Sequence, residues 1–257
     1  MTRNWLFIFV FISFFFSLYS FGIDSHTAPE IISVSEIYLL ADTPTAAFFQ
    51  PATKSSGLAI NHCNPFGFTG LNVFSLATQT QQFSAGVIAL QQDFISEKTF
   101  YAGYVYDIHD IILGGNVRLY HHAVEGYDTI TACTGNIGAI WQNSIFTHGV
   151  TYSNITQTAN KTIQLPSVFK YECAVTPFDK TAFGVSFEKE KDFDIRYAIA
   201  VKQEIYEGLH LSTGAVNHPN QLSAGLSVKI KDISVSYAVQ THEYLDYTQA
   251  VGVLYRF

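Results

Sequence analysis

The sequence predicts an all-β protein: a transmembrane antiparallel β-barrel of about fourteen strands, with an N-terminal segment at or in its lumen. Three observations carry this. From Gly57 to the C-terminus, runs of about ten residues alternate apolar with polar or small side chains, and helical periodicity is nearly absent. Aromatic residues make up 15% of the chain and charged residues only 14%, whereas a soluble domain carries about 25% charged residues. The chain also stops on an aromatic, Phe257, two residues after Tyr255. Side chains alternate faces along a strand, so each run presents one apolar and one mixed face. A soluble sandwich shows the same alternation, and run length separates the two: membrane strands need ~9–11 residues, while soluble strands cluster near 5–6.

The chain opens with Arg3 and an apolar stretch from Trp5 to Phe16, followed by Ser17, Ser20 and Gly22. Residues 1–22 read as a removed export signal, since the apolar run is shorter than the ~20 residues that span hydrocarbon, with a retained membrane helix as the alternative. Residues 23–56 differ in character, with Pro29, Pro44 and Pro51 and a short helix expected around Val34 to Ala41. This segment is too polar for a membrane strand and is expected to fold into the barrel mouth or lumen, a disordered tail being the alternative.

Strands are then expected at 57–63, 69–78, 82–93, 98–107, 110–123, 128–141, 144–154, 164–175, 180–190, 192–203, 207–217, 221–231, 233–243 and 246–257. Fourteen is an even number, as single-chain bacterial barrels require, with both ends on the periplasmic side; a strand split near the N-terminus would leave twelve. Counting back from Phe257 puts tight turns at Lys231-Asp232 and Gln142-Asn143 in the periplasm, and the longest gap, Ile155 to Ile163, outside the cell.

The faces follow from the same parity. In the last strand Tyr247, Val251, Val253, Tyr255 and Phe257 point one way and Thr248, Ala250, Gly252 and Arg256 the other. Extended along the chain, this places Arg118, Glu188, Asp194, Arg196, Lys202, His210, Lys229 and Lys231 in the lumen, where charge is tolerated. They would solvate and pair across the interior, line a polar passage, or clamp the N-terminal segment; Asp194 and Arg196 are close enough for a local pair. Gly103, Gly114, Gly184, Gly214, Gly225 and Gly252 fall on the same face, where missing side chains would let an inserted segment approach the wall. Phe100, Tyr104, Tyr106, Tyr237, Tyr244 and Tyr255 suit interfacial girdles.

Composition excludes several classes. A formal net charge of −7, one unit more negative without Arg3, argues against a nucleic-acid partner. Cys63, Cys133 and Cys173 are odd in number and far apart, which excludes a fully paired disulfide framework and a zinc spacing and leaves room for one bridge. The neighbouring His121 and His122 point to opposite faces, and no nucleophile elbow or helix-borne metal motif occurs, so neither an enzyme nor a cofactor is expected.

The stretch ADTPTAAFFQPA, Ala41 to Ala52, followed by Gly57-Leu58-Ala59, resembles the N-terminal motif A-D-D-P-x-A-x-x-x-N-P-A-G-L-A of the PorV/PorQ-like proteins, outer-membrane barrels related in fold to the long-chain fatty-acid transporters. Asp42, Pro44, Ala46, Pro51, Ala52, Gly57 and Leu58 carry the match; Gln50 stands where the family has Asn, and TKSS is inserted before Gly57. The ending, with Ser236-Tyr237-Ala238-Val239, His242 to Leu245 and the barrel signature Tyr255 and Phe257, resembles that family's C-terminus. The resemblance implies a fourteen-stranded barrel around an N-terminal segment, in contact with outer-membrane lipid, the barrel-assembly machinery and, for some relatives, type IX secretion components or cell-surface proteins. The expected function is a non-enzymatic accessory of protein secretion or surface attachment in the outer membrane of a Gram-negative-type bacterium. Two alternatives stand beside it: a transporter of small or hydrophobic solutes gated by residues 23–56, and a soluble periplasmic sandwich or adhesin.

Overall fold

The computed structural model describes residues 28–92, 94–155, 157–159 and 165–257, so the expected export signal lies outside the described residues. Fifteen strand segments follow two short helices, α1 (Pro29–Ile32) and α2 (Ala46–Phe49): β1 (Gly57–Asn64), β2 (Asn72–Gln79), β3 (Phe83–Gln92), β4 (Ile95–Ile108), β5 (Ile111–Val124), β6 (Ile130–Asn143), β7 (Phe146–Ser153), β8 (Gln157–Ala159), β9 (Val168–Phe178), β10 (Thr181–Glu190), β11 (Arg196–Tyr206), β12 (Leu209–Val216), β13 (Gln221–Ile230), β14 (Ile233–Gln240) and β15 (Thr248–Tyr255). Each pairs antiparallel with its neighbours, and β1 against β15 together with β5 against β6 closes the sheet on itself. Closure removes every exposed edge, the one way a sheet can satisfy its backbone in lipid.

Segments β7 and β8 share one place in the wall. Both pair with β6, and the register moves by two residues between Ile137↔Tyr152 and Thr134↔Gln157. Asn154 sits in this bulge in a left-handed conformation (φ 57°). Its backbone N–H donates to Asn136 Oδ1 at 2.9 Å and its side-chain amide to the Pro166 carbonyl at 2.8 Å, so the groups that the bulge releases are satisfied. The barrel therefore has fourteen strands.

One rim is made of turns of two or three residues and holds both the start of β1 and the end of β15; the other carries the longer connections. His109, Ser144 and Lys231 open their turns with positive φ, as does Gly208 near its own, which matches the strand twist of tight hairpins. The expected turn at Gln142-Asn143 lies two residues later, at Ser144-Ile145, because β6 runs on to Asn143. Outside, the wall is apolar: Ile199 is 60%, Leu222 64%, Val235 49% and Val251 45% exposed, while Ala200, Ser223, Ser234 and Ala250 between them are buried. His148 stands on this outer face, its ring nitrogen bonded to the Tyr171 hydroxyl at 2.8 Å and its ring stacked on Trp141. Phe100, Tyr104, Tyr106, Tyr237 and Tyr255 are exposed on strands, whereas Tyr244 lies in the connection between β14 and β15.

Residues 28–56 fill the barrel and form a plug. Ala28, Ile31, Ile32, Val34, Ile37, Ala46, Ala47 and Phe48 are all at most 1% exposed. No helix forms over Val34 to Ala41. Ser35 and Glu36 are both left-handed (φ 49° and 63°), which ends the helical path two residues after α1. The Ser35 hydroxyl meets Ser223 Oγ at 2.8 Å and the Glu36 carboxylate meets Arg196, so tertiary bonds hold a backbone that local propensity disfavours.

Candidate functional site

The lumen is where polar chemistry concentrates, and three layers of contact fix the plug there. In the first, Glu36 Oε2 accepts from Arg196 Nη1 at 2.6 Å. Lys170 Nζ donates to the Glu36 carbonyl at 2.7 Å, lies 3.9 Å from the Tyr38 ring centroid, and stands 3.7 and 3.6 Å from Glu172 and Glu188. Glu172 Oε1 in turn accepts the Tyr38 backbone N–H at 2.8 Å. Two cations and three carboxylates thus interlock across β9, β10, β11 and the plug, Glu36 and Glu172 through charge-assisted hydrogen bonds and Glu188 through ion pairs at 3.6 and 3.7 Å.

The second layer holds α2. Arg118 stacks 4.2 Å over the Phe48 ring and donates to the Phe48 carbonyl. Asn116 Nδ2 reaches the carbonyls of Ala47 and Phe48 at 2.8 and 3.0 Å, capping a four-residue helix whose Ala46 carbonyl is taken by the Gln50 N–H at 2.9 Å. Tyr101 donates to the Pro44 carbonyl at 3.2 Å, and Asn61 donates to Thr45 Oγ1 at 3.2 Å. In the third layer, at the turn rim, Asp42 pairs with Arg256 at 2.6 Å and accepts from Ser55 at 3.2 Å, while Lys202 donates to the Leu40 carbonyl at 3.1 Å. Burial pushes the Asp42 carboxyl up, but the Arg256 guanidinium and the Lys202 ammonium outweigh it and hold Asp42 below the usual carboxylate range. For Glu30 burial prevails over the Ser236 hydrogen bond and the Lys202 charge and raises the carboxyl above the usual range.

Glycines form the seat. A Cβ on Gly114 would lie 2.2 Å from the Pro51 carbonyl oxygen, so only a bare backbone fits there. Gly184 lies under Leu40 and Ile37, Gly214 under Ser35, Gly225 under Ser33, and Gly252 under Asn61 and Pro29. Gly103 instead faces Ser84 and Asn116 of the wall.

The structure sorts the residues singled out from the sequence. Arg118, Glu188, Arg196 and Lys202 reach the plug or its clamp, and His210 and Lys229 line a cavity at the turn rim. Asp194 does not enter the lumen: β11 begins at Arg196, so Asp194 lies exposed in the preceding connection, and Arg196 pairs with Glu36 and Glu188 instead. Lys231 is likewise exposed, in the turn between β13 and β14. Of the motif residues, Asp42, Pro44, Ala46, Pro51 and Ala52 belong to the plug; Gly57 starts β1, where a Cβ would meet the Tyr255 carbonyl at 2.5 Å, and Leu58 faces outward. Tyr255 and Phe257 are exposed, with ring centroids 6.4 Å apart. The three cysteines are free. Glu36, Tyr38, Lys170, Glu172 and Asn116 were not anticipated as site residues, whereas Arg256 was placed on the inner face of the last strand without a role. The run Phe169-Lys170-Tyr171-Glu172-Cys173 carried a signal for two of them, charge at alternate positions of a membrane-length strand.

The loop half of the lumen has a different character. Cys63, Leu71, Val73, Ile88, Leu90 and Ile95, on or beside β1–β4, are each at most 7% exposed and join one apolar cluster with Phe48, Phe49 and Tyr101.

No protein-family model and no curated protein matches the chain. Solved structures do match in fold. A FadL homologue from Pseudomonas aeruginosa superposes with a TM-score of 0.60 at 10% identity, covering 90% of this chain and 98% of the other. The toluene transporter TodX of Pseudomonas putida gives 0.56 at 8%, covering 82% and 93%. A deltaS2 mutant of TodX, described as a monoaromatic hydrocarbon channel, gives 0.61 at 9%, covering 92% and 100%. At these identities the likeness is one of fold: a transmembrane β-barrel.

Proposed function

We propose that the protein is an outer-membrane barrel that passes small hydrophobic solutes, with residues 28–56 as its gate. One observation carries the reading: aliphatic side chains line the loop half of the lumen around Val73, Ile88, Leu90 and Ile95. Barrels that pass hydrophilic solutes have polar interiors, and an apolar wall offers such solutes nothing to replace their hydration. The fold likeness to a toluene transporter and a hydrocarbon channel supports the same class of solute. The experiment is uptake of the hydrophobic dye N-phenylnaphthylamine by intact cells expressing the protein. Faster uptake than in vector controls, lowered by Val73→Thr with Leu90→Gln, is expected. Uptake equal to the controls rejects the reading.

A second reading has its own support. The clamp of Glu36, Lys170, Glu172, Glu188 and Arg196 ties the plug to three strands, as suits a closed, accessory barrel of the PorV/PorQ type that serves protein secretion or surface attachment. In that reading lipid surrounds the wall, and the barrel-assembly machinery recognises the Tyr255–Phe257 end. A deletion strain with unaltered secreted and surface-attached proteins removes it.

A further inference from the structure

At the turn rim a cavity of about 180 Å³ opens between α1 and the ends of β11 to β15. Lys202, His210, Lys229 and Arg256 line it together with Glu30, Asp42 and five serines. On a chain with a net charge of −7, this is a local excess of cations.

Two features of the lining point to a ligand. The first is an uneven distribution of partners. Arg256 and Asp42 satisfy each other at 2.6 Å, and Lys202 is engaged by the Leu40 carbonyl at 3.1 Å. The side chains of Lys229 and His210 line the cavity with no hydrogen bond or ion pair to a described residue; the one carboxylate whose charge reaches both is Glu204 of β11. The second is an orphan: Glu30 Oε2 is buried and without a hydrogen-bond partner. A buried acceptor of this kind is costly unless something donates to it.

Cationic donors beside a carboxylate oxygen that lacks a donor are a poor match for most anions, because the carboxylate repels them. They match an oxyanion that still carries a proton. Its bare oxygens accept from the ammonium and the imidazole, and its own O–H donates to the carboxylate. Inorganic phosphate keeps at least one proton throughout the neutral range; sulfate keeps none, and a phosphate monoester, with a second pKa of about 6, loses its last one. The cavity is also roomy enough, since its volume of about 180 Å³ exceeds the ~10–15 Å³ that one water needs on the same measure.

We propose that this cavity binds inorganic phosphate, with Lys229 and His210 donating to its oxygens and Glu30 accepting the hydrogen bond of its retained O–H. The site is independent of what crosses the barrel.

Isothermal titration of the purified full chain in detergent at neutral pH tests it, with inorganic phosphate, sulfate and methyl phosphate as separate titrants. Phosphate is expected to bind, and the other two about tenfold more weakly or worse. Lys229→Ala, at the exposed end of its strand, and His210→Ala should each weaken phosphate about tenfold. Glu30→Gln, which can donate as well as accept, should narrow the phosphate-to-sulfate ratio to about threefold or less. No phosphate binding at about 10 mM, weaker than any useful affinity, overturns the proposal. So does equal binding of phosphate and sulfate by the unaltered chain, or phosphate binding unchanged by Lys229→Ala. Should Glu30→Gln fail to fold, the Lys229→Ala result and the sulfate comparison decide.

Discussion

Replacing Arg196 by Met should unseat the plug while leaving the wall intact. Met keeps an apolar stem in place of the guanidinium, so the change removes charge more than volume. Arg196 is bonded to Glu36 at 2.6 Å, with the Glu36 side chain only 5% exposed and that of Arg196 22% exposed. Removing one partner of a buried pair costs about 3–5 kcal/mol. The partial exposure of Arg196 and the remaining cation, Lys170, place this case at the low end, about 3 kcal/mol. That shifts the ratio of docked to undocked plug roughly a hundredfold. Hydrogen exchange followed by mass spectrometry in detergent reads it directly: amides of residues 28–56 should exchange about a hundredfold faster, with β1–β15 as internal control. The double variant E36Q/R196M, which removes both charges, should recover much of the protection, because an apolar or neutral pair costs less than an orphaned ion. Unchanged plug exchange in Arg196→Met, or equal loss of protection in wall and plug, would refute the idea that this ion pair anchors a separately seated element.

Three further outcomes are expected. Gly114→Ala puts a methyl group against the Pro51 backbone and should release the segment around Pro51, seen as protease cleavage near residues 50–56 while the barrel resists. Ile199→Arg, on the lipid face of β11, should lower the folding free energy into lipid vesicles by about 2–4 kcal/mol, the cost of a cation near the midplane; a change below about 0.5 kcal/mol, ordinary for a soluble surface, would argue against lipid contact. Asp42 has a lowered carboxyl pKa in the folded chain. Its pair with Arg256 therefore stabilises above the unfolded value of about 3.9, and that stabilisation is lost as pH falls through the lowered folded value. Asp42→Asn should melt below wild type at pH 7, and the gap should close under strongly acid conditions; a gap that persists there shows the contact to be other than electrostatic.

Strand parity was legible wherever both faces obeyed one rule over a long run. In β11, β13, β14 and β15 the outward set Ile199, Leu222, Val235 and Val251 alternates with small or polar residues, because lipid and lumen make opposite demands on adjacent positions. The glycines of the seat were readable for a related reason: in a wall otherwise rich in β-formers, Gly114, Gly184 and Gly225 weaken the strand unless something approaches closely. The plug's conformation was not legible. Its turn at Ser35 and Glu36 is held by Ser223 and Arg196, 188 and 160 residues away, and no local pattern encodes such partners. Asp194 misled for a simpler cause: alternation was extended two residues past the point where β11 begins, and outside the ladder side-chain direction no longer follows parity. The clamp residues Lys170 and Glu172 stand at alternate positions of β9 and so carried a signal, but the plug groups they meet, the Glu36 carbonyl and the Tyr38 N–H, lie 134 residues away and no local pattern encodes them.

The placement of the plug at the head of the chain orders the events of folding. Ser33 is bonded to Ser223, 190 residues downstream, and Pro29 rests on Gly252 of the final strand. Until β15 arrives to zip against β1, the seat for the first described residues has no floor. Loop closure over such separations is slow and is rewarded only at the end. Sealing the cylinder and swallowing the plug are thus a single late step, and a chain truncated before β15 would have to hold the apolar side chains of residues 28–56 with nowhere to put them.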